Sequence, residues 1–596
     1  MSEPAPRSGV RAALAVGALV LVALVGYGLL STYVAGPRVF GDEVIYLDAG
    51  DSLADGHGLL VQNHRYGRGP GYPATIAPIA VVTQDRSTVY FWAKLLNALW
   101  FALSAIPIYL LARRLLSCRA SFVVTALSLL IPSSIYIGLV MTDSLAYLVG
   151  LLAVYAIVLA VERPTWRRQL AVAAAVVIAY LVRPQFAVLY PAFVLAVAAV
   201  NRRRLRELWI TGVVTGLALA GAGALVLARG ASALGDYAFL WRSYDLDGVA
   251  RMFDYHLADL ALYLGLIPLF ILPAAIAAFY RKARAGSSAH RAFLVVFVST
   301  TLLALLVAAL FASSGSAQGR IYDRYVFYVV PLWLIVGAVW LQEGAPRPRR
   351  AVGLGAVLLL GALALLPFDV YVVDDASKEL HAAGTPIWTH LGDLAIAHGQ
   401  TGHRAVELAA VLAAAAVVAI PQRFALALVL PLLAVFAVNS ALLWTHGIRD
   451  NNRDVFASQS SATRGWVDQI VPDDQSVTLL QVQPSGCQRE LGYAYMFTKF
   501  FNDRVDATPQ LGVAPYGGLP NETVHVSGAG HLIGLDGRAL RSSWVVAPSG
   551  VKVSGTPVAE GTVDRLVLWH VSAGRVEVHA ASDHQVESQA CRGTPS

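Results

Sequence analysis

Charge is scarce in this chain. Only 14% of its 596 residues are Asp, Glu, Lys or Arg, whereas soluble globular domains carry roughly 25%. Together with 57% hydrophobic residues and a mean hydropathy of +0.59, that scarcity excludes most soluble enzyme classes and predicts an integral membrane protein. Lysine is scarcer still, with Lys94, Lys282, Lys378, Lys499 and Lys552 standing against an arginine-rich remainder. Three cysteines are too few for a disulfide scaffold or a Cys-based metal site. Cys118 stands alone among basic residues. Cys487 and Cys591 fall in the polar last quarter, where an oxidising compartment would let them pair. Neither a solenoid repeat nor a low-complexity tract is present. The net charge of +7 reads as membrane topology, so no nucleic-acid partner is expected.

Long apolar runs fill the first three quarters of the chain. A span needs about 20 residues to cross roughly 30 Å of hydrocarbon. Runs of that order lie near 11–35, 88–112, 119–140, 143–161, 168–182, 185–200, 208–229, 257–280, 291–313, 325–342, 351–367, 404–420 and 424–444, about thirteen in all. The first lacks a small-residue cleavage site and is expected to stay as an uncleaved helix. Short loops at 113–119, 163–168, 202–206, 281–291 and 347–350 are basic, and all fall on one side if the N-terminus is cytoplasmic. An odd number of spans then places the C-terminus outside, in agreement with the expected Cys487–Cys591 bridge. The fold class expected is a polytopic α-helical membrane protein, multi-pass in the plasma (inner) membrane. Residues 1–445 form the transmembrane module and 446–596 a β-rich extracytoplasmic domain. Strands are expected at Val477–Val482, Thr523–Val526, Trp544–Val546, Leu566–Val571 and Val576–His579.

The external loop at 36–87 is too specifically composed for a connector. It carries Phe40-Gly41-Asp42-Glu43, then Tyr46, Asp48, Asp51 and His57, then Tyr66-Gly67-Arg68-Gly69-Pro70-Gly71-Tyr72-Pro73. Adjacent carboxylates at a membrane interface repel one another and are partly desolvated, which can make one a useful base. A solvated acidic loop would contain the same pair.

A first span ending in an external Asp42-Glu43, followed by Tyr46 and the Gly-Pro-Gly-Tyr-Pro stretch, resembles the GT-C superfamily of membrane glycosyltransferases. In pattern it is most like the protein O-mannosyltransferases and the lipid A aminoarabinose transferases. The resemblance covers roughly residues 10–345 and implies an enzyme that takes a sugar from a polyprenyl phosphate on the extracytoplasmic face. Three further features fit it. Met141-Thr142-Asp143-Ser144 is a short external turn like the second acidic position of that family, although Thr142 or Asp143 would equally suit helix capping. Arg183-Pro184-Gln185 interrupts an apolar stretch, and an arginine at such depth is a functional candidate unless it is a plain interfacial residue. Gln318-Gly319-Arg320-Ile321-Tyr322-Asp323-Arg324-Tyr325 is similar to the family's Arg-Tyr motif before a late span, where a guanidinium meets lipid phosphate. An ion pair of Asp323 with Arg324 or Arg320 is the structural alternative. Gly67-Arg68-Gly69-Pro70 departs from the Glu-Lys-Pro type sequence of the aminoarabinose transferases, keeping a cation but not the acid.

The resemblance therefore implies Asp42 as base, Glu43 and Asp143 as its catalytic companions, and Arg68, Arg183, Arg320, Arg324 and Tyr325 as donor-binding residues. Its partners would be a polyprenyl-phosphate sugar, a glycan, lipid or protein acceptor, and membrane lipids. No cofactor is expected. His57 and His64, with Asp42, and the pair His381 and His390 have no convincing metal spacing and read as hydrogen-bonding residues. Trp466, Tyr493, Tyr495, Trp544 and Trp569 would suit sugar stacking or a domain core. A transporter or lipid flippase is the rival class, because many spans with buried charges also describe a substrate pathway. A non-catalytic envelope protein that kept the fold is a third.

Overall fold

A computed structural model describes residues 6–37, 40–62, 64–83, 85–201, 205–230, 245–314, 320–373, 381–450, 464–482, 488–512, 519, 522–561 and 566–590. Both members of the expected Cys487–Cys591 pair lie outside the described residues; Cys118 is free and exposed.

Apolar runs bounded by polar residues become helices wherever no water can satisfy the backbone. Eight helices among the described residues are long and apolar enough to cross a membrane: Val10–Ser31, Arg86–Arg113, Asp143–Glu162, Pro184–Asn201, Arg206–Arg229, Ser288–Ala312, Gly402–Ala419 and Gln422–His446. Two bent pairs bring the number to ten if each is one span. Trp166–Val182, Phe327–Gln342 and Arg349–Leu365 are shorter apolar helices occupying three more of the runs read from the sequence.

Two of the expected spans are not straight. The 119–140 run breaks after Leu129, where Pro132 starts a 3-10 segment, Pro132–Gly138, at 54° to the preceding helix. The 257–280 run is split between Leu246–Tyr263 and Ile267–Arg284, which meet at 97°. Gly265 and Leu266 both take φ of 70° at that corner. A Cβ on Gly265 would stand 3.3 Å from the Leu432 Cα, so the left-handed backbone and the close approach both favour glycine there.

After the last span the chain builds a β-rich domain that forms two sheets among the described residues. One orders Thr556–Glu560, Leu566–His570, Trp544–Pro548, Val477–Leu479 and Val505–Ala507; the other orders Gln481–Val482, Gln510–Leu511, Thr523–Val526 and Leu532–Gly534. The helix Gln488–Phe501 carries the chain across to the parallel strand Val505–Ala507. The expected strand at Val576–His579 is reduced to isolated bridges with His531 and Val553. Tyr495 and Trp544 are buried in the domain core, and the Tyr495 hydroxyl is held by the Val482 backbone 3.0 Å away. Tyr493's side chain lies outside the described residues.

The joint between the two parts is the helix Asp42–Ala54 in the first long loop. Val44, fully buried, belongs to the same apolar cluster as Val467, Leu491 and Leu568 of the C-terminal domain. Tyr90, at the start of a span, meets Phe500 edge-on with ring centroids 5.3 Å apart.

Candidate active site

Asp42 and Glu43 open the helix Asp42–Ala54, where the partial positive charge of a helix N-terminus favours carboxylates. Successive helical side chains diverge by about 100°, so the two acids face different surroundings. Asp42 keeps 29% of its side-chain surface accessible and accepts a hydrogen bond from Arg68 Nη1 at 2.6 Å. Burial pushes the Asp42 carboxyl up, but the charges of Arg68 and Arg324 outweigh it and hold the group below the usual carboxylate range, with His381 adding to them. Glu43 is fully buried. Its Oε2 accepts from the Tyr90 hydroxyl at 2.8 Å and from the Val140 N–H at 3.0 Å, fastening the loop to a span and to the turn before Asp143.

The loop carrying Arg68 is laid against the Arg183 turn by hydrogen bonds and by sterics. The Gly71 N–H donates to Leu181 O at 2.8 Å, and a Cβ on Gly69 would stand 2.4 Å from that same oxygen. Buried Asn97 accepts from the Tyr72 hydroxyl at 3.1 Å and donates to Leu139 O at 2.7 Å, which joins this loop to the Asp143 turn. Lys94, on the same helix face as Tyr90 and Asn97, donates to the terminal carbonyls of Ser31 and Val34 and ties down the end of the first span.

Asp143 begins its span with no accessible side-chain surface. Arg183 Nη1 reaches Asp143 Oδ1 at 2.6 Å and Arg324 Nη2 reaches Oδ2 at 3.2 Å. The capping alternative is therefore displaced: Thr142 makes no side-chain cap, and both Asp143 oxygens serve guanidiniums from 40 and 181 residues away. Arg183 is enclosed, with 7% of its side chain accessible, and is no plain interfacial residue. Aromatic faces flank the cations. Arg183 lies 4.8 Å from the Tyr325 ring centroid, Arg324 lies 4.8 Å from Phe40 and 5.9 Å from Tyr136, and Arg68 lies 6.0 Å from Tyr46.

Arg324 thus pairs with Asp143, while its neighbour Asp323 accepts from the Gly384 N–H at 2.8 Å and belongs to a buried network with Tyr136. Arg320 is half-buried at the start of the same loop. His381 meets Phe40 and Tyr322 with ring centroids 5.0 Å from each, whereas His390 is exposed and His57 lines a different cavity. His64's side chain is outside the described residues. Among the described residues, no group of three or more His, Cys, Asp or Glu side chains is arranged to hold a metal ion. Sequence reasoning did not single out Tyr136, Asn97 or His381 for this site. The first two stand out only as polar groups inside apolar helical stretches, a signal as weak as any buried tyrosine gives.

Asp42, Asp143, Arg68, Arg183 and Arg324 together carry two negative and three positive charges, leaving one positive charge for an anionic ligand. Arg324 Nε is a buried donor with no acceptor among the described residues. Such a donor costs free energy until a ligand supplies its partner.

Residues 68–225 match the family described as dolichyl-phosphate-mannose-protein mannosyltransferase. No protein of curated function matches the chain in sequence. Among solved structures, the chain is similar to ArnT from Cupriavidus metallidurans. In its apo state that protein is 17% identical with a TM-score of 0.51, and bound to undecaprenyl phosphate it is 15% identical with a TM-score of 0.52. Both alignments cover 94% of this chain and 98% of ArnT. The spans, the first long loop and the C-terminal β-rich domain are thus arranged as in ArnT, whose fold this chain shares over nearly its whole length.

Proposed function

We propose that this protein transfers a sugar from a polyprenyl-phosphate donor to an acceptor hydroxyl at the extracytoplasmic face of the plasma membrane. The observation that carries the reading is the pairing of one accessible carboxylate, Asp42, with a buried carboxylate, Asp143, that holds two guanidiniums side by side. Arg183 and Arg324 bind the donor phosphate. A planar guanidinium can give two parallel hydrogen bonds to phosphate oxygens and keeps its charge as the leaving group develops its own. Asp143 has no free surface to meet an acceptor, so it is the positioning residue of that pair. Arg68 and Tyr325 stand beside the sugar, and Arg320 lies on the approach to the phosphate.

Asp42 takes the proton from the acceptor hydroxyl as it attacks the anomeric carbon from the face opposite the lipid phosphate, and direct displacement inverts that centre. Its pairing with Arg68 lowers its basicity, and approach of the anionic donor draws the guanidinium towards phosphate and raises it again. Glu43 fixes the helix that carries the base. The lateral setting at the ends of spans suits a donor whose chain stays in the bilayer. The match of residues 68–225 to a lipid-phosphate mannosyltransferase family and the undecaprenyl phosphate bound by ArnT support this choice of donor over a transporter's cargo.

General-base assistance is worth roughly 10²- to 10⁴-fold in rate, so Asp42→Asn is expected to cut turnover by that much and leave donor binding near wild type. The test is sugar release or transfer from a panel of radiolabelled polyprenyl-phosphate sugars by the protein in lipid nanodiscs. Undiminished turnover in Asp42→Asn removes Asp42 from the base role. Absence of both donor binding and turnover in the unaltered protein overturns the transferase reading.

A further inference from the structure

A second cavity, of about 390 Å³, opens where the first-loop helix and its hairpin meet the C-terminal domain. Asp48, Asp55, Gln62 and Arg86 line it from the membrane side, and Lys499 and Asp506 from the domain. The site is built rather than merely exposed. Arg86 is fixed by Asp48 at 2.6 Å, Asp51 at 3.4 Å and Asp503 at 3.6 Å, and Lys499 Nζ donates to Val505 O at 2.6 Å. Gln62 occupies a hairpin turn with φ of 49°, a backbone that Asn or Gly would adopt more readily. Its Oε1 accepts from the Thr508 hydroxyl of the C-terminal domain at 2.8 Å.

Two donors are left over. Arg86 Nη1 and Gln62 Nε2 are enclosed and have no acceptor among the described residues. They stand among the carboxylates of Asp48, Asp55 and Asp506, which are acceptors only. A phosphate or carboxylate ligand would satisfy the donors and be repelled by the acids. A cationic peptide would suit the acids and could offer its carbonyls to the donors, but its charge would be repelled by Arg86 and Lys499. Carbohydrate hydroxyls each donate one hydrogen bond and accept others, so one sugar face can serve both sets. The volume falls in the range of small-ligand sites, roughly 300–1,000 Å³. Asp48 lies six residues beyond Asp42 on one helix, about 9 Å along its axis.

We infer that this cavity is the docking site for a glycan acceptor, gripping the sugar rings next to the one whose hydroxyl meets Asp42. The inference rests on the transferase reading and narrows its acceptor to carbohydrate.

The test measures binding of soluble di- to tetrasaccharides of arabinose, mannose, galactose, glucose and N-acetylglucosamine to the full chain in nanodiscs, by saturation-transfer NMR and calorimetry. At least one sugar is expected to bind, and Gln62→Ala and Asp55→Ala are each expected to weaken it by about tenfold or more, while undecaprenyl phosphate binding stays unchanged. Asp55 is exposed, so its variant tests the cavity without disturbing the Gln62–Thr508 contact. The inference is overturned if no sugar of the panel binds, if binding survives both substitutions, or if short peptides bind there in place of sugars. Sugar binding without any donor binding or turnover would instead leave this cavity standing and sink the transferase reading.

Discussion

Asp143 shows how a buried charge is tolerated at the edge of a membrane. A carboxylate taken out of water is costly, and its cost is offset here by two guanidiniums that need it as much as it needs them. Asp143→Asn keeps the shape and removes the charge, leaving Arg183 and Arg324 to repel one another. Breaking a buried pair in this way costs about 3–5 kcal/mol. The expected result is a clear fall in Tm in nanodiscs and a loss of undecaprenyl phosphate affinity, in contrast to Asp42→Asn, which keeps that affinity. Wild-type Tm and affinity in Asp143→Asn would falsify the positioning role.

At the level of elements, the critical contact is the one between the Arg68 loop and the helix end at Leu181–Val182. The space at Gly69 admits a hydrogen and no carbon. Gly69→Ala pushes the loop off the helix, displacing Arg68 from Asp42, and a displacement of about 1 Å at a reacting centre is worth on the order of 10²-fold in rate. Gly353, inside the helix Arg349–Leu365 with open space at its Cβ position, supplies the control, and Gly353→Ala should leave the rate unchanged. Turnover of the two variants under saturating donor compares them directly.

Much of this was readable from the chain. In an apolar sequence each ionisable group is conspicuous because the bilayer penalises it, so Asp42, Asp143, Arg183 and Arg324 stood out one by one. Their pairing did not. The alternatives weighed for Arg324 were local ones, whereas its partner lies 181 residues away, a separation on which periodicity is silent. The bend at Gly265 was hidden for a related reason: hydropathy is continuous across it, and the corner shows only in the packing against Leu432. The C-terminal domain's strands were visible wherever β-branched residues clustered, and failed at Val576–His579, where the chain makes single bridges in place of a ladder.

For the molecule as a whole, protons bear on the junction between the membrane module and the C-terminal domain. Burial pushes the Asp51 carboxyl up to about 6, with Arg86 opposing and Asp48 and Asp55 adding to it. Asp503, contributed by the C-terminal domain, is raised as well, again chiefly by burial. An acid whose folded pKa exceeds its unfolded value of about 3.9 binds more protons in the folded state between those two pH values. Stability of the junction is therefore expected to rise as pH falls from about 7.5 towards 5. Hydrogen exchange in Asp42–Ala54 and Gln488–Phe501, corrected for intrinsic rates, should slow accordingly, and Asp51→Asn should flatten the dependence.

Three consecutive residues meet at that junction and look three ways. Asp42 faces the guanidiniums, Glu43 is moored to a span, and Val44 is plugged into the C-terminal domain's core. A single turn of helix therefore works as a keystone. Tilting the C-terminal domain must carry the Asp42 carboxylate with it, because plug and carboxylate sit two residues apart on one helix. A load on the C-terminal domain is therefore felt at the Asp42 carboxylate without passing through a hinge.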